Sequence, residues 1–227
     1  MSSHLRDYLP VYGTRLVASG SERLTLAARL QRTSGGKSES SVLTVTAEPL
    51  LGAIRITEKG AAGTRETGHD GREVWSKAGT PAELDTALVE TLLYDCAERL
   101  FTAQVEGFPI RIIGNRFRDD DGKSKDYRGR YFDIFRLFDR LNAGGKEIPR
   151  ERTYFFDSAT RLLDRVAYRT GGAPGVRVTT FLSGWQRFGN QVFASTITRQ
   201  ENGVETLRIT VDSAIWTPAA KDNAFGK

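Results

Sequence analysis

Cysteine, histidine and methionine are scarce in this 227-residue chain, which contains one Cys, two His and one Met. One Cys excludes a disulfide framework within the chain, and Cys96 lies in a helical pattern that favours a small buried hydrophobe over a reactive thiol. His4, His69 and one thiol cannot assemble a His/Cys zinc site or a His-based catalytic triad. We therefore expect no metal catalysis through soft ligands and assign no cofactor.

Long apolar runs are also missing, so no segment approaches the length of a membrane-spanning helix, and no cleavable signal sequence is recognisable. The 33 basic residues exceed the 28 acidic ones by five. They are interleaved with the acids, whereas a nucleic-acid binder usually concentrates its positive charge in a stripe or a tail. We therefore expect no nucleic-acid partner.

Motifs with catalytic or ion-binding chemistry are equally sparse. The three aspartates at 119–121 followed by Gly122 are similar to the start of a calcium loop, but the acidic residue that would close the ligand frame is missing. A solvated hairpin turn is favoured there. The acidic residues, Asp157 and Asp164 among them, cannot be paired into a general acid and base from their sequence positions. Nothing positive in the sequence supports an enzyme.

What the chain does contain is a repeated rhythm of strands and turns. Short runs rich in β-branched and aromatic residues fill residues 153–213 and indicate a meander of antiparallel strands. Leu207, Ile209 and Val211 alternate there with polar residues, so one face packs and the other is solvated. Similar runs between residues 23 and 76 and a long hairpin over residues 110–138 extend the pattern. The sequence predicts one antiparallel sheet of about nine to eleven strands.

The period changes at Thr80, where an amphipathic helix is predicted to run to Phe101. Thr80 is a natural N-cap, Pro81 suits the first helical position and Glu83 completes a capping box. The apolar stripe consists of Leu84, Leu88, Leu92, Cys96 and Leu100. Two interpretations stay open: a helix that completes the core, or a lid over a ligand cavity.

Two hairpin motifs resemble those of the LolA/LolB superfamily of periplasmic lipoprotein and lipid carriers. Residues 69–75, His-Asp-Gly-Arg-Glu-Val-Trp, are similar to the family's aromatic-Asp-Gly-x-x-x-Trp hairpin. Trp185, a short turn and residues 191–197 resemble its Trp, turn, Phe-Pro-Ser-x-Ile run, with Ala194 at the usual proline. The resemblance covers about residues 5–225.

This resemblance implies a fold that is mainly β with α (α+β): a single highly curved antiparallel sheet, or incomplete β-barrel, with helices on the concave side. It implies one LolA-like domain over residues 1–227. Within that domain we expect an N-terminal helical segment at 1–20, a lid helix at 80–103 and a flexible tail at 219–227.

The function that the resemblance implies is non-catalytic binding of lipid or lipoprotein acyl chains in an apolar cavity, by a periplasmic carrier of a Gram-negative bacterium. Membrane-associated proteins are further expected partners. The candidate lining residues are Leu84, Leu88, Leu92, Phe132, Ile134, Phe193, Ile197, Leu207 and Ile209. The alternatives are a protein-interaction or envelope-sensor domain with a filled interior and, third, an enzyme, which would require clustered acids with shifted pKa values in a pocket.

Overall fold

The computed structural model describes residues 8–12, 22–118, 131–171, 175–189, 191–219 and 224–225. The strands, in chain order, are β1 (Glu22–Ser34), β2 (Lys37–Glu48), β3 (Ala53–Gly60), β4 (Gly63–Asp70), β5 (Val74–Ser76), β6 (Ile110–Arg118), β7 (Tyr131–Ala143), β8 (Lys146–Asp157), β9 (Leu163–Thr170), β10 (Val176–Phe188), β11 (Gln191–Glu201) and β12 (Val204–Pro218). The helices are two 3-10 helices, Leu9–Tyr12 and Pro49–Leu51, the α-helices α1 (Glu83–Val89) and α2 (Ala97–Val105), and a π turn between them, Glu90–Tyr94.

The strands form one 12-stranded sheet with the order β5-β4-β3-β2-β1-β12-β11-β10-β9-β8-β7-β6. Adjacent strands in this order are antiparallel, and a parallel pair between Val74 of β5 and Ala143 of β7 joins the two ends into a ring, leaving β6 outside on β7. The predicted single, highly curved antiparallel sheet is confirmed. The ring of eleven strands is closed, where an incomplete barrel was expected, and the sheet, with twelve strands, has one more than the upper end of the predicted range.

The β11–β12 hairpin illustrates why these residues form strands. Asn202 and Gly203 both have positive φ, 50° and 83°, which is the backbone that a tight two-residue hairpin turn requires. Beyond the turn, Leu207, Ile209 and Val211 are buried while the residues between them reach the other face. This alternation turns one face of the sheet toward the core, as the sequence predicts.

The helical segment differs from the prediction at its start. We expected Thr80 as the N-cap and Glu83 as its partner, but α1 begins at Glu83 and its N-cap is Ala82. The carboxylate of Asp85 accepts a hydrogen bond from the Ala82 N–H at 2.9 Å and also pairs with Arg65. The predicted capping box at Thr80 is therefore wrong. The N-cap is Ala82, and the buried Asp85 carboxylate accepts the hydrogen bond from its backbone N–H.

The segment is also divided, where one helix to Phe101 was expected. The Asp95 N–H donates to the Glu90 carbonyl at 2.8 Å, a bond over five residues, and Cys96 is extended before α2 begins. Five residues along an ideal α-helix differ by about 140° in direction. The π turn removes much of that offset, so Glu90 and Asp95 face the same part of the sheet.

The core lies on the concave side of the sheet, beneath the helical segment, and the N-terminal 3-10 helix closes one end of it. Tyr8 packs edge-on against Phe135 and Phe156, and the fully buried Tyr12 packs against Phe101 and Trp185. The rest of the predicted 1–20 segment, the aspartate turn at 119–122 and most of the 219–227 tail lie outside the described residues. No helix in the described ranges has the length and apolar character needed to cross a membrane.

Candidate functional site

Six of the nine predicted lining residues lie in or against the concave core. Leu88, Phe193, Ile197, Leu207 and Ile209 belong to the core cluster, and Leu92 packs against it while remaining partly accessible. Leu84 lies at the rim, where 36% of it is exposed and it lines a groove of about 290 Å³ with Arg32 and Arg65.

Phe132 and Ile134 are separated from the other predicted lining residues. Both are buried, but they stand an odd number of positions from Leu137, which belongs to the concave core cluster. Alternation along β7 turns them to the opposite face. There the Phe132 ring packs against Phe155, with the Arg165 guanidinium 4.7 Å from its centre. Apolar residues on both faces of a strand do not identify its concave face, which is why the sequence could not separate them.

A very small space lies beneath the helical segment. Where the helical segment meets β10 and β11, Leu92, Phe193 and Ile197 enclose a space of about 10 Å³ together with Cys96 and Trp185. A space of this size is close to the minimum that one water molecule needs. Apolar side chains form most of the contact between the helical segment and these strands, with Thr91, Asp95 and Glu98 at its border, and we call it the apolar joint.

A second contact beneath the same segment is ionic. Seven charged side chains, each at most 8% exposed, meet there, and we call them the buried charge network. Glu90, Asp95 and Arg99 come from the helical segment, and Asp139, Arg150, Arg152 and Arg199 come from the sheet. No buried nitrogen or oxygen atom of these described side chains lacks a hydrogen-bond partner. Complete pairing is the condition under which charges are tolerated in an interior.

Arg152 is the centre of the network. Its side chain is fully buried and its guanidinium contacts three carboxylates: Glu90 at 3.0 Å, Asp95 at 3.2 Å and Asp139 at 3.4 Å. The Tyr94 and Tyr168 rings each lie 4.9 Å from the guanidinium carbon. The network therefore connects the helical segment with the sheet through one cation.

Four donors of the sheet converge on the carboxylate of Glu90. Arg150 Nε lies 2.8 Å and Arg152 Nη2 lies 3.0 Å from Oε1. The Tyr168 hydroxyl donates to Oε2 at 3.1 Å, and Arg199 Nη1 is 3.7 Å from the same oxygen. Burial alone would raise the pKa of Glu90, but the three guanidinium groups outweigh burial and lower this pKa. Glu90 is therefore a carboxylate.

Asp95 and Asp139 have different surroundings. Asp95 accepts a hydrogen bond of 2.6 Å from the Thr180 hydroxyl, and burial raises its pKa despite the nearby Arg152. Asp139 accepts both a 2.7 Å and a 3.0 Å bond from Arg99, the forked geometry that suits a guanidinium and a carboxylate. This second pair joins α2 to β7.

The sequence prediction missed this network because a distance between two acids cannot be inferred from their separation in the chain. A signal was nevertheless available in β8. Arg150 and Arg152 stand in phase with Tyr154 and Phe156, so the alternation that buries the aromatic residues buries the arginines as well. A strand that places charges on its core face requires buried counter-charges.

His69 fixes a neighbouring hairpin to the π turn. Its Nδ1 lies 2.7 Å from the Gly52 carbonyl oxygen, and its Nε2 lies 3.2 Å from the Tyr94 hydroxyl. A neutral ring that donates through Nδ1 and accepts at Nε2 satisfies both contacts. Burial is the main cause that lowers the pKa of His69 and so favours this neutral form. Among the described residues, no group of three or more His, Cys, Asp or Glu side chains could hold a metal ion.

The comparisons with known proteins concern the fold. No protein-family model matches the sequence, and no curated protein matches it. A LolA superfamily protein from Nitrosomonas europaea matches the structure with a TM-score of 0.61 at 10% identity, over 98% of this chain and 97% of the other. A DUF1329 family protein from Desulfovibrio piger matches with a TM-score of 0.55 at 11% identity, over 98% and 97%.

A putative outer membrane lipoprotein-sorting protein domain from Vibrio parahaemolyticus matches with a TM-score of 0.52 at 8% identity, over 97% of this chain and 93% of the other. These likenesses show that the chain has a LolA-like fold, as the hairpin motifs predict. At such low identities they show the fold alone.

Proposed function

We propose that the protein is a non-catalytic carrier that binds acyl chains of lipids or lipoproteins on the concave side of the sheet, at the apolar joint. The observation that carries this proposal is the unequal attachment of the helical segment. Ion pairs hold one side of it to β7, β8 and β11, whereas mainly apolar side chains, Leu92, Phe193 and Ile197 among them, line the space of about 10 Å³ at the apolar joint.

An acyl chain that inserts at the apolar joint replaces apolar contacts with similar ones. Each buried CH₂ contributes about 0.8 kcal/mol before the entropic costs of binding. Insertion on the ionic side would instead leave buried charges without partners, at a cost of about 3 to 5 kcal/mol for each broken pair. The acyl chain therefore enters beside Leu92. The proposed lining consists of the predicted residues that lie in or against the concave core: Leu88, Leu92, Phe193, Ile197, Leu207 and Ile209.

Binding of a fluorescent fatty acid to Leu92→Asp tests this proposal. The introduced charge lies in the acyl path, so we expect binding to fall by tenfold or more while the circular dichroism spectrum stays that of the native sheet. Leu84→Asp is the matched control, because Leu84 lies on the same segment but at the exposed rim. Equal binding by both variants and the native protein would exclude the apolar joint as the site.

A second candidate is a protein-interaction or envelope-sensor domain with a filled interior. The fully paired charge network and the very small enclosed space favour it. Native mass spectrometry of the purified protein and of its organic extracts separates the two candidates. A co-purifying lipid supports the carrier, and failure of the native protein to retain or bind any fatty acid supports the interaction domain.

The carrier proposal includes a location in the periplasm and exchange with membrane-associated proteins that give and receive the lipid. Its support is the LolA-like fold. Fusion of the full-length gene to a reporter that is active only in the periplasm tests the location. An inactive reporter that is expressed at normal levels would remove this part of the proposal.

A further inference from the structure

We propose that Arg150, Arg152 and Arg199, grouped around the Tyr168 hydroxyl, form a binding site for a phosphate group, and that the Glu90 carboxylate occupies this site in the closed protein. The inference rests on the proposed carrier function and specifies its ligand class. The ligand would be an acyl lipid with a phosphate-bearing, anionic headgroup.

The geometry around Glu90 is that of a bound anion. Two guanidinium nitrogens lie 2.8 Å and 3.0 Å from one oxygen, while a hydroxyl at 3.1 Å and a third guanidinium at 3.7 Å face the other. All of these donors belong to the sheet, and the acceptor belongs to the π turn. Arginine forks suit phosphate oxygens as well as carboxylates, so a phosphate could take the place of the carboxylate.

The two sides of the network carry opposite charge. The sheet contributes the cations Arg150, Arg152 and Arg199 against the buried acid Asp139 and the partly exposed Glu201, which pairs with Arg199 at 3.0 Å, an excess of one positive charge. The helical segment contributes Glu90 and Asp95 against Arg99. When the segment moves away from the sheet to admit a ligand, the sheet retains an excess of positive charge in a largely apolar interior. An anion that arrives with the ligand removes the energetic penalty of that uncompensated charge, which falls mainly on Arg150 because Glu90 is its ion-pair partner.

The network also adjoins the apolar joint on the same face of the sheet. Arg199 and Ile197 are two residues apart on β11, and their partners on β10 are Thr180 and Leu182. A lipid with its headgroup at Arg199 would therefore place its acyl chain beside Ile197 and Phe193. The anionic headgroup would then contact arginine side chains, and the acyl chain would contact apolar side chains.

Chemical rescue of Glu90→Ala tests the phosphate site. Removal of the carboxylate takes the ion-pair partner from Arg150 and one of three carboxylates from Arg152, so the variant should unfold at a lower temperature than the native protein. Millimolar inorganic phosphate should restore most of the lost Tm, and chloride at the same ionic strength should not. Glu90→Ser, which also vacates the carboxylate position, provides the same measurement if the alanine variant does not fold.

The matched control is Glu48→Ala. Glu48 is 4% exposed, and among the described residues its ion-pair partner is Arg23 at 2.8 Å rather than a group of arginines. An equal rise in the Tm of Glu90→Ala and Glu48→Ala on addition of phosphate would contradict the proposed phosphate site. An unchanged Tm in both variants would contradict it as well.

Binding to vesicles then distinguishes a lipid headgroup from free phosphate. The native protein should bind phosphatidylglycerol several-fold more tightly than phosphatidylcholine, and Glu90→Gln should widen the difference because the internal competitor has lost its charge. Equal binding of both lipids without phosphate rescue would overturn this inference and leave the carrier proposal intact. Rescue by phosphate without binding of either lipid would overturn the assignment of a phospholipid headgroup, and the fatty-acid measurement with Leu92→Asp then decides the carrier proposal separately.

Discussion

Arg152 places a full positive charge where no solvent reaches it, between the Tyr94 and Tyr168 rings. An isolated buried charge is very costly, and an ion pair does not always compensate for it. Here one guanidinium contacts three carboxylates, so the cost of burying its charge is offset by three acids together. Such an arrangement specifies how the helical segment sits on the sheet more than it adds to stability.

His69 gives the interior a measurable response to pH. Burial lowers its pKa below the ordinary value of about 6.5, partly offset by the Gly52 carbonyl and the Asp70 charge, while Arg99 adds to the lowering. Below about pH 6.5 the unfolded chain binds a proton that the folded ring resists, so the free energy of unfolding must fall as the pH decreases through this region.

We therefore expect the native protein to lose more unfolding free energy between about pH 7.5 and pH 5.5 than His69→Phe does. Urea titrations at the two pH values measure the difference. Tyr94→Phe retains the histidine and should retain the pH dependence. A His69→Phe variant with the same acid sensitivity as the native protein would contradict this assignment.

The helical segment shows how far an element can be predicted from its own residues. The apolar period correctly places a helix near residue 84, because that signal is local, but of the predicted apolar stripe only Leu88 and Leu100 are buried. The division at Asp95 was not predictable in this way. It brings Glu90 and Asp95 to arginines more than fifty residues away, so the cause of the local shape is distant in the chain.

The same distinction holds for the sheet and the site. Leu207 and Ile209 could be assigned to the core from alternation alone, since polar residues mark the other face. Phe132 and Ile134 could not be assigned, because apolar residues occupy both faces of β7. The ring closure at Val74 depends on a single pair with Ala143, which no pattern in a three-residue strand reveals.

The start of α1 provides a test at the level of the element. Asp85→Ala removes the acceptor of the Ala82 N–H, so we expect a loss of about 1 kcal/mol of unfolding free energy, within the usual range for a lost cap. Thr80→Ala, at an exposed position, should change stability by less than about 0.5 kcal/mol. Chemical denaturation of both variants measures this. A larger loss of unfolding free energy in Thr80→Ala than in Asp85→Ala would support the capping box predicted from the sequence.

At the scale of the whole molecule, the ring has one weak seam. Antiparallel pairs run along the other strand neighbours, whereas β5 and β7 share one parallel pair, supported by a 2.9 Å hydrogen bond from the Asn142 side chain to the Arg72 carbonyl. A seam with so few bonds is the place where the ring can open locally at low free energy.

Asn142→Ala should therefore accelerate hydrogen exchange in peptides that contain Val74 and Ala143, with little change in global stability. Glu147→Ala is the control, because Glu147 pairs with Asn142 in the same hairpin and its exposed ion pair with Arg140 does not touch β5. Native-state exchange followed by mass spectrometry measures both variants. Unchanged exchange at the seam in Asn142→Ala would show that the side chain does not hold it.

The pairing of β1 with β12 sets the order in which the chain can acquire its structure. Glu22 lies opposite Pro218. One edge of β1 pairs with β2, but its other edge can pair only after β12 has been synthesised. A ribosome delivers these strands many seconds apart. Until the last one emerges, the ring has a gap beside β1, and the nascent polypeptide exposes unpaired backbone groups of β1 that chaperones can bind.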